Sequence, residues 1–230
     1  GDQGHLLRAA AGGAPRRADR VPPRSARRGF FRTYRELIAQ PRLRRLYGIS
    51  FLDSLARSAL MPVFPLFVRH LLGRPKEGTA RVTGLLLGVR AIAGSLASMR
   101  IGKLGDRVGH GRVVVISTVL LFLLYAPQAF VTTAWQLIAL HALIGVFAVG
   151  LVPGVGALFA LEAPEGQQGA VFALESSIDA LGRSVGPMVG ASLAMAFGIR
   201  GTFFGAACIY ALLVLVAAPL YGVVADPVDD

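Results

Sequence analysis

Between Leu46 and Val224 the chain carries six apolar runs. Each is long enough to cross a hydrocarbon core of about 30 Å as a helix rising about 1.5 Å per residue. They are read as Leu46–Val68, Val82–Ile101, Val113–Val131, Trp135–Ala160, Ala170–Phe197 and Thr202–Val224. Apolar residues fall in long blocks instead of alternating with polar ones, which marks segments that face lipid. Composition agrees: 54% of residues are hydrophobic and 16% are charged, with a mean hydropathy of +0.59. The expected fold is an all-α membrane protein, with a six-helix transmembrane domain over residues 46–225 and the lipid bilayer as its surroundings. The spans use nearly the whole chain, which leaves no room for a separate soluble enzyme domain. Very short connectors make the third and fourth spans, and the fifth and sixth, helical hairpins.

Charge is distributed as a membrane protein distributes it. There are 24 Lys and Arg against 13 Asp and Glu, a net +11. Twelve of the basic residues precede position 46, ahead of any span. A basic flank beside a membrane helix follows the positive-inside rule, and no aromatic-and-basic module accompanies it, so no nucleic-acid partner is expected. With the N-terminus inside, sixteen basic residues lie on the inner side, five on the outer side, and Arg57, Arg90 and Arg183 within spans. Both termini are therefore expected on the cytoplasmic face of a plasma membrane. The acidic loop at Glu162 and Glu165 and the acidic tail at 226–230 fit that rule poorly. Residues 1–29, rich in Arg, Ala, Pro and Gly, lack an apolar signal core and are expected to be disordered. Because Gly1 is not a Met, they read as the remnant of a longer loop. Residues 30–45 read as an amphipathic cytoplasmic helix or, equally, as a solvated charged linker.

The single cysteine, Cys208, excludes an intrachain disulfide framework and a Cys-based metal site. It reads as a small packing residue. No metal and no cofactor is expected.

Six ionisable residues sit inside spans: Asp53, Arg57, Arg90, Glu175, Asp179 and Arg183. Each costs about 2.5–3.5 kcal/mol at a helix centre on insertion scales. Six facing lipid are not tolerable, so pairing or a shared wet cavity is expected. Asp53 precedes Arg57 by four residues, and Asp179 precedes Arg183 likewise, the better orientation for a helical ion pair. Glu175, Asp179 and Arg183 form one stripe, and pairing of the last two leaves Glu175 without a partner on its own helix. Glu175, alone or with Asp179, is a candidate for proton coupling or cation recognition; a static salt bridge to Arg90 is the competing reading. His141 is either a proton relay or a histidine satisfied by one neighbouring carbonyl.

Gly182, Gly186 and Gly190 make two overlapping small-xxx-small steps around Pro187, which permit close helix approach and a bend. The loop after the second span reads Gly102-Lys103-Leu104-Gly105-Asp106-Arg107-Val108-Gly109-His110-Gly111-Arg112. Its glycines permit a tight turn, Asp106 can cap or pair across a helix end, and the arginines anchor one membrane face. This loop resembles the signature between the second and third helices of each half of major facilitator transporters. The Gly182–Gly190 segment resembles the Gly-Pro-rich antiporter motif. Gln40-Pro41-Arg42-Leu43-Arg44-Arg45 resembles the central loop joining the two halves. The nearest subgroup by these motifs is the drug/proton antiporters of the multidrug efflux type, and the chain resembles their C-terminal half from about Arg35 to Val224.

The resemblance implies secondary active transport, with proton-coupled efflux of small amphipathic molecules. It implies a conformational lock carried by Gly102, Asp106, Arg107, Gly109 and Arg112. Its implied partners are a small-molecule substrate, protons, and either a missing N-terminal six-helix half or a second copy. His110-Gly111 stands where the family has a basic pair, and Glu175 and Asp179 stand where neutral residues are usual, which leaves the substrate class open. Other readings are a non-transporting half-length membrane protein, an inactive fragment, and an intramembrane serine protease built on Ser192 and His141. The last lacks the glycine that usually follows such a serine, and the chain is read as no enzyme.

Overall fold

The computed structural model describes residues 33–73 and 77–222. The tail 1–29, Arg74, Lys76 and the acidic end at 226–230 lie outside the described residues. Leu37–Asp230 cluster as one compact unit and the residues up to Glu36 as another; of the latter, residues 33–36 are helical. Every regular element among the described residues is a helix.

Helix α1 spans Pro41–Leu60 and α2 Val63–Leu72. Gln40 is extended, and Pro41 supplies the fixed φ and the missing N–H that suit a first helical position. The boundary expected at 45/46 therefore falls inside one helix. The expected first span is also bent, because Pro62 removes a donor where α1 would continue. The two helices meet at 41°, and Met61 N–H closes a short turn onto Ser58 O at 3.3 Å.

Helix α3 covers Glu77–Val108 and α4 His110–Tyr125, followed by a 3-10 turn over Ala126–Phe130. Only Gly109 separates α3 from α4, at φ 93° and ψ 133°. That conformation is close to inaccessible for a residue with a Cβ. Helix α5, Ala134–Glu162, opens with a reciprocal capping box: Gln136 N–H donates to Thr133 Oγ1 at 3.4 Å, and Thr133 N–H donates to Gln136 Oε1 at 3.3 Å.

The last helix, α6, runs Gln168–Ala217 and is broken at Gly198 (φ 73°). Thr202 Oγ1 reaches Gly190 O at 3.4 Å. On a straight helix, residues twelve apart would be about 18 Å apart, so the chain doubles back at Gly198. The arms are called α6a and α6b.

Among the described residues four helices are long and apolar enough to cross a membrane, or five when α1 and α2 count as one bent span. Only 11% of the most apolar window of α3 is buried, and Leu85, Ile92, Leu96 and Met99 stand exposed along it. In water such a helix would present a continuous apolar face; in lipid it is solvated. The interior is filled by large aromatics, among them Tyr125, Phe67, Phe159, Phe203 and Tyr210. Cys208 lies on the exposed side of α6b and takes no part in that interior.

Contacts between distant residues sort the bundle's ends. Arg42 pairs with Glu162 at 3.0 Å, and Arg112 lies over the Tyr221 ring at 5.9 Å. At the opposite end Phe67 meets Phe203 at 4.7 Å and Phe130 meets Phe204 at 5.3 Å. The Glu162 carboxylate, out of place by charge count, thus has a cation beside it.

Candidate functional site

The site is built where α1 and α6a run side by side. Their closeness comes from glycine. A Cβ on Gly182 would sit 2.8 Å from Phe51 O, and one on Gly186 would sit 2.5 Å from Ser58 Cβ. One on Gly190 would collide with the Ala59 carbonyl. Contacts that advance from 51 to 59 as the other helix advances from 182 to 190 make the two parallel. Pro187, half-buried beside Gly186, has no N–H for the Arg183 carbonyl.

Parallel packing puts two matching ladders next to each other. Along α1, Arg57 Nε donates to Asp53 Oδ2 at 2.9 Å, and Nη2 lies 2.8 Å from the same oxygen. Along α6a, Arg183 pairs with Asp179. The ladders are joined twice: the Ser54 hydroxyl donates to Asp179, and Arg57 Nη2 lies 3.9 Å from Asp179 Oδ1. On the far side, buried Asp53 accepts a 2.9 Å hydrogen bond from the Tyr210 phenol on α6b. Tyr210 stacks on Tyr125 of α4, with ring centroids 4.6 Å apart. One turn nearer the Gln168 end, Ser50 donates to Glu175 at 3.5 Å. Glu175 makes no ion pair with Arg90; its neighbour is a hydroxyl.

Beyond the arginines the structure opens into a cavity of ≈ 480 Å³, lined by residues of α1, α2, α3, α5 and α6a. Arg57, Arg183, Arg90 and His141 all reach its wall, among apolar groups that include Met61, Phe64 and Leu86. Arg90 is positioned by its own backbone: its carbonyl lies against Gly145 of α5, where a Cβ would overlap it. His141 sits on α5 with 1% exposure. A carbonyl only accepts, so the 3.0 Å contact with Leu137 O makes Nδ1 the donor. Nε2 is buried and without a partner among the described residues. The Phe64 ring meets the imidazole edge-on at 4.7 Å. Ser192 donates to its own helix at Met188 O, 2.9 Å away, and not to His141.

The loop at Gly109 forms a separate polar cluster. Asp106 Oδ1 lies 3.6 Å from His110 Nε2 across the turn. The imidazole covers Gly105, where a Cβ would stand 3.2 Å from its Cδ2. Arg107 is exposed in the last turn of α3, where a cation complements the helix dipole. Gly102 meets nothing within 4 Å of where its Cβ would be, so packing does not demand glycine there.

Of the residues singled out from sequence, Asp53, Arg57, Asp179 and Arg183 form one network, Arg90 and His141 join it through the cavity, and Glu175 stands at its other end. Ser50, Ser54 and Tyr210 belong to it as well; the two serines carried no local signal, and a tyrosine within an apolar run was the available hint for Tyr210.

Residues 46–229 match the Major Facilitator Superfamily. The chain is 31% identical over 185 residues to "Multidrug resistance protein MdtG" of Salmonella arizonae, covering 79% of this chain and 45% of that protein. The protein of the same name from Salmonella paratyphi B and from Salmonella newport aligns with the same identity and coverage. The chain spans about half the length of the curated relatives it matches. A family match over most of the sequence, on an all-helical apolar fold, leads to one assignment: the chain belongs to the Major Facilitator Superfamily.

Proposed function

We propose that this chain forms one wall of a secondary active transporter that exports small amphipathic molecules in exchange for protons. The observation that carries the reading is the balanced ion network between α1 and α6a, opening on a cavity inside helices that only lipid can solvate. Membrane ionisable groups gathered around a cavity mark transport pathways in general. The name of these relatives, multidrug resistance protein, points to the same class of cargo.

In this reading there are six crossings, α1 with α2 as the first and the two arms of α6 as the last two, with both termini cytoplasmic. The chain acts as a C-terminal half. An N-terminal six-helix half or a second copy supplies the opposite wall, and the two rock about the cavity. Glu175 and Asp179 carry the coupled proton; Glu175 is suited to it because its partner is a hydroxyl and not a fixed cation. Gly102, Asp106, Arg107, Gly109 and Arg112 hold one conformation of the cycle from the cytoplasmic side.

The test is uptake into inverted membrane vesicles containing the native polypeptide, driven by an imposed acid-inside pH gradient. Export from the cell becomes uptake when the membrane is turned inside out. Gradient-dependent uptake that Glu175→Gln abolishes supports the reading. Full proton-driven transport by that variant removes Glu175 from coupling, and no gradient-dependent flux at all overturns the transport assignment.

A further inference from the structure

The cavity presents one sign of charge. Arg57, Arg90 and Arg183 line it, and none of its lining residues is Asp or Glu. The carboxylates stand one turn behind, Asp53 under Arg57 and Asp179 under Arg183. Their side chains are 6% and 17% exposed, against 35% and 60% for the two arginines, so a molecule entering the cavity meets guanidinium first.

Of the three arginines on the cavity wall, Arg90 is the one that pairs with no carboxylate among the described residues. Along α3 it is about 20 Å from Glu77 and about 27 Å from Val108 at 1.5 Å per residue, too deep for its head to reach water beyond either end. The Gly145 notch fixes it at that depth. His141 adds a second open group, the buried and unpartnered Nε2 on the same wall.

We propose that this cavity binds the acidic head of an amphipathic organic anion, a carboxylate, sulfonate or phosphonate carried on an apolar body. Guanidinium groups match such oxyacid heads with paired, charge-assisted hydrogen bonds. Arg90 is the principal counter-charge, and Arg57 and Arg183 complete the cationic wall. His141 Nε2 accepts a hydrogen bond from a ligand hydroxyl, and the body lies against Met61, Phe64 and Leu86. The cavity volume, ≈ 480 Å³, falls within the about 300–1,000 Å³ of small-molecule sites. This rests on the transporter reading and narrows it, from amphipathic cargo in general to acids rather than cationic drugs.

A matched pair of probes tests it. Pyrenebutyrate and pyrenebutyl-trimethylammonium share one apolar body and differ in the charge of the head. Each is titrated by fluorescence anisotropy against the native polypeptide in phosphatidylcholine nanodiscs. The anion is expected to bind about tenfold or more tightly than the cation. Arg90→Gln is expected to remove about tenfold of that preference, while Arg90→Lys, which keeps the charge, retains most of it. Equal or tighter binding of the cation overturns the proposal, as does an unchanged preference in Arg90→Gln. Stoichiometric displacement of pyrenebutyrate by phosphatidylglycerol assigns the site to a lipid head and overturns the substrate assignment. Binding is read without a proton gradient: anion binding without transport sinks the transport reading alone, and transport of the cation without anion binding sinks this proposal alone.

Discussion

The Tyr210 phenol donates a 2.9 Å hydrogen bond to the Asp53 carboxylate, tying the last arm of the bundle to the first helix at the level of the ion network. A buried bond to a charged group is worth about 1.5–3 kcal/mol. Tyr210→Phe is therefore expected to lower stability by about that amount. The stacked neighbour provides the control, because the Tyr125 hydroxyl is buried and has no partner among the described residues. Tyr125→Phe is expected to stay within about 0.5 kcal/mol of the parent. Thermal unfolding in detergent measures both; equal shifts would show that ring packing, not the hydrogen bond, holds the two tyrosines.

Asp53 and Arg57 are expected to behave as a coupled pair. Removing one partner of a buried ion pair costs about 3–5 kcal/mol; with Arg57 35% exposed, about 2–3 kcal/mol is the expectation for Asp53→Asn alone. Adding Arg57→Gln removes the orphaned charge, so the double variant should recover part of that loss. Additive losses in a double-mutant cycle would mean the two side chains do not depend on each other.

Much of this network was legible from spacing. The ladders Asp53/Arg57 and Asp179/Arg183 are set by helical geometry alone, since four residues make one turn. Ser54 on Asp179 and Tyr210 on Asp53 join positions 125 and 157 apart; only the packing of α1 against both arms of α6 creates them. The glycines of that seam were readable as small steps, but not which helix they face. The bend at Pro62 was missed because the hydropathy of residues 46–68 continues across it. A shared cavity was expected from the six charges inside spans, but not its place, because Arg90 reaches it through a backbone notch at Gly145, a feature of two helices and not of either sequence.

The α1–α6a seam makes a size-selective prediction. Gly186→Leu places bulk where a Cβ alone would be 2.5 Å from Ser58 Cβ, and overpacking of this kind costs about 1–3 kcal/mol. Gly156 on α5 has nothing within 4 Å of its Cβ position, so Gly156→Ala should be neutral or stabilising by up to about 1 kcal/mol. Comparable unfolding midpoints for the two variants would argue against a close-packed seam.

At the turn, Gly109→Ala forces a Cβ into φ 93°, a strain of about 1–3 kcal/mol. Gly102→Ala, with open space around it, should leave the unfolding midpoint unchanged or slightly raised. If the loop acts as a conformational lock, Gly102→Ala alters transport rate without altering stability, whereas Gly109→Ala lowers both. Paired melting and vesicle-flux measurements separate the two effects.

The length of α3 reaches beyond the bundle. Its 32 residues measure about 48 Å at 1.5 Å per residue, and even a tilt of about 40° leaves about 37 Å along the bilayer normal, more than a hydrocarbon thickness of about 30 Å. The apolar run covers 82–101, so the helix is expected to overhang at both ends, and at one of them the stretch bearing Lys103 and Arg107 is expected among the phosphates of the lipid headgroups. The Gly109 turn is thereby expected at the bilayer surface, where its rearrangement would move Lys103, Arg107 and Arg112 against that anionic layer. Bilayer thickness and acidic-lipid content should therefore set the pace of that turn as much as its own residues do.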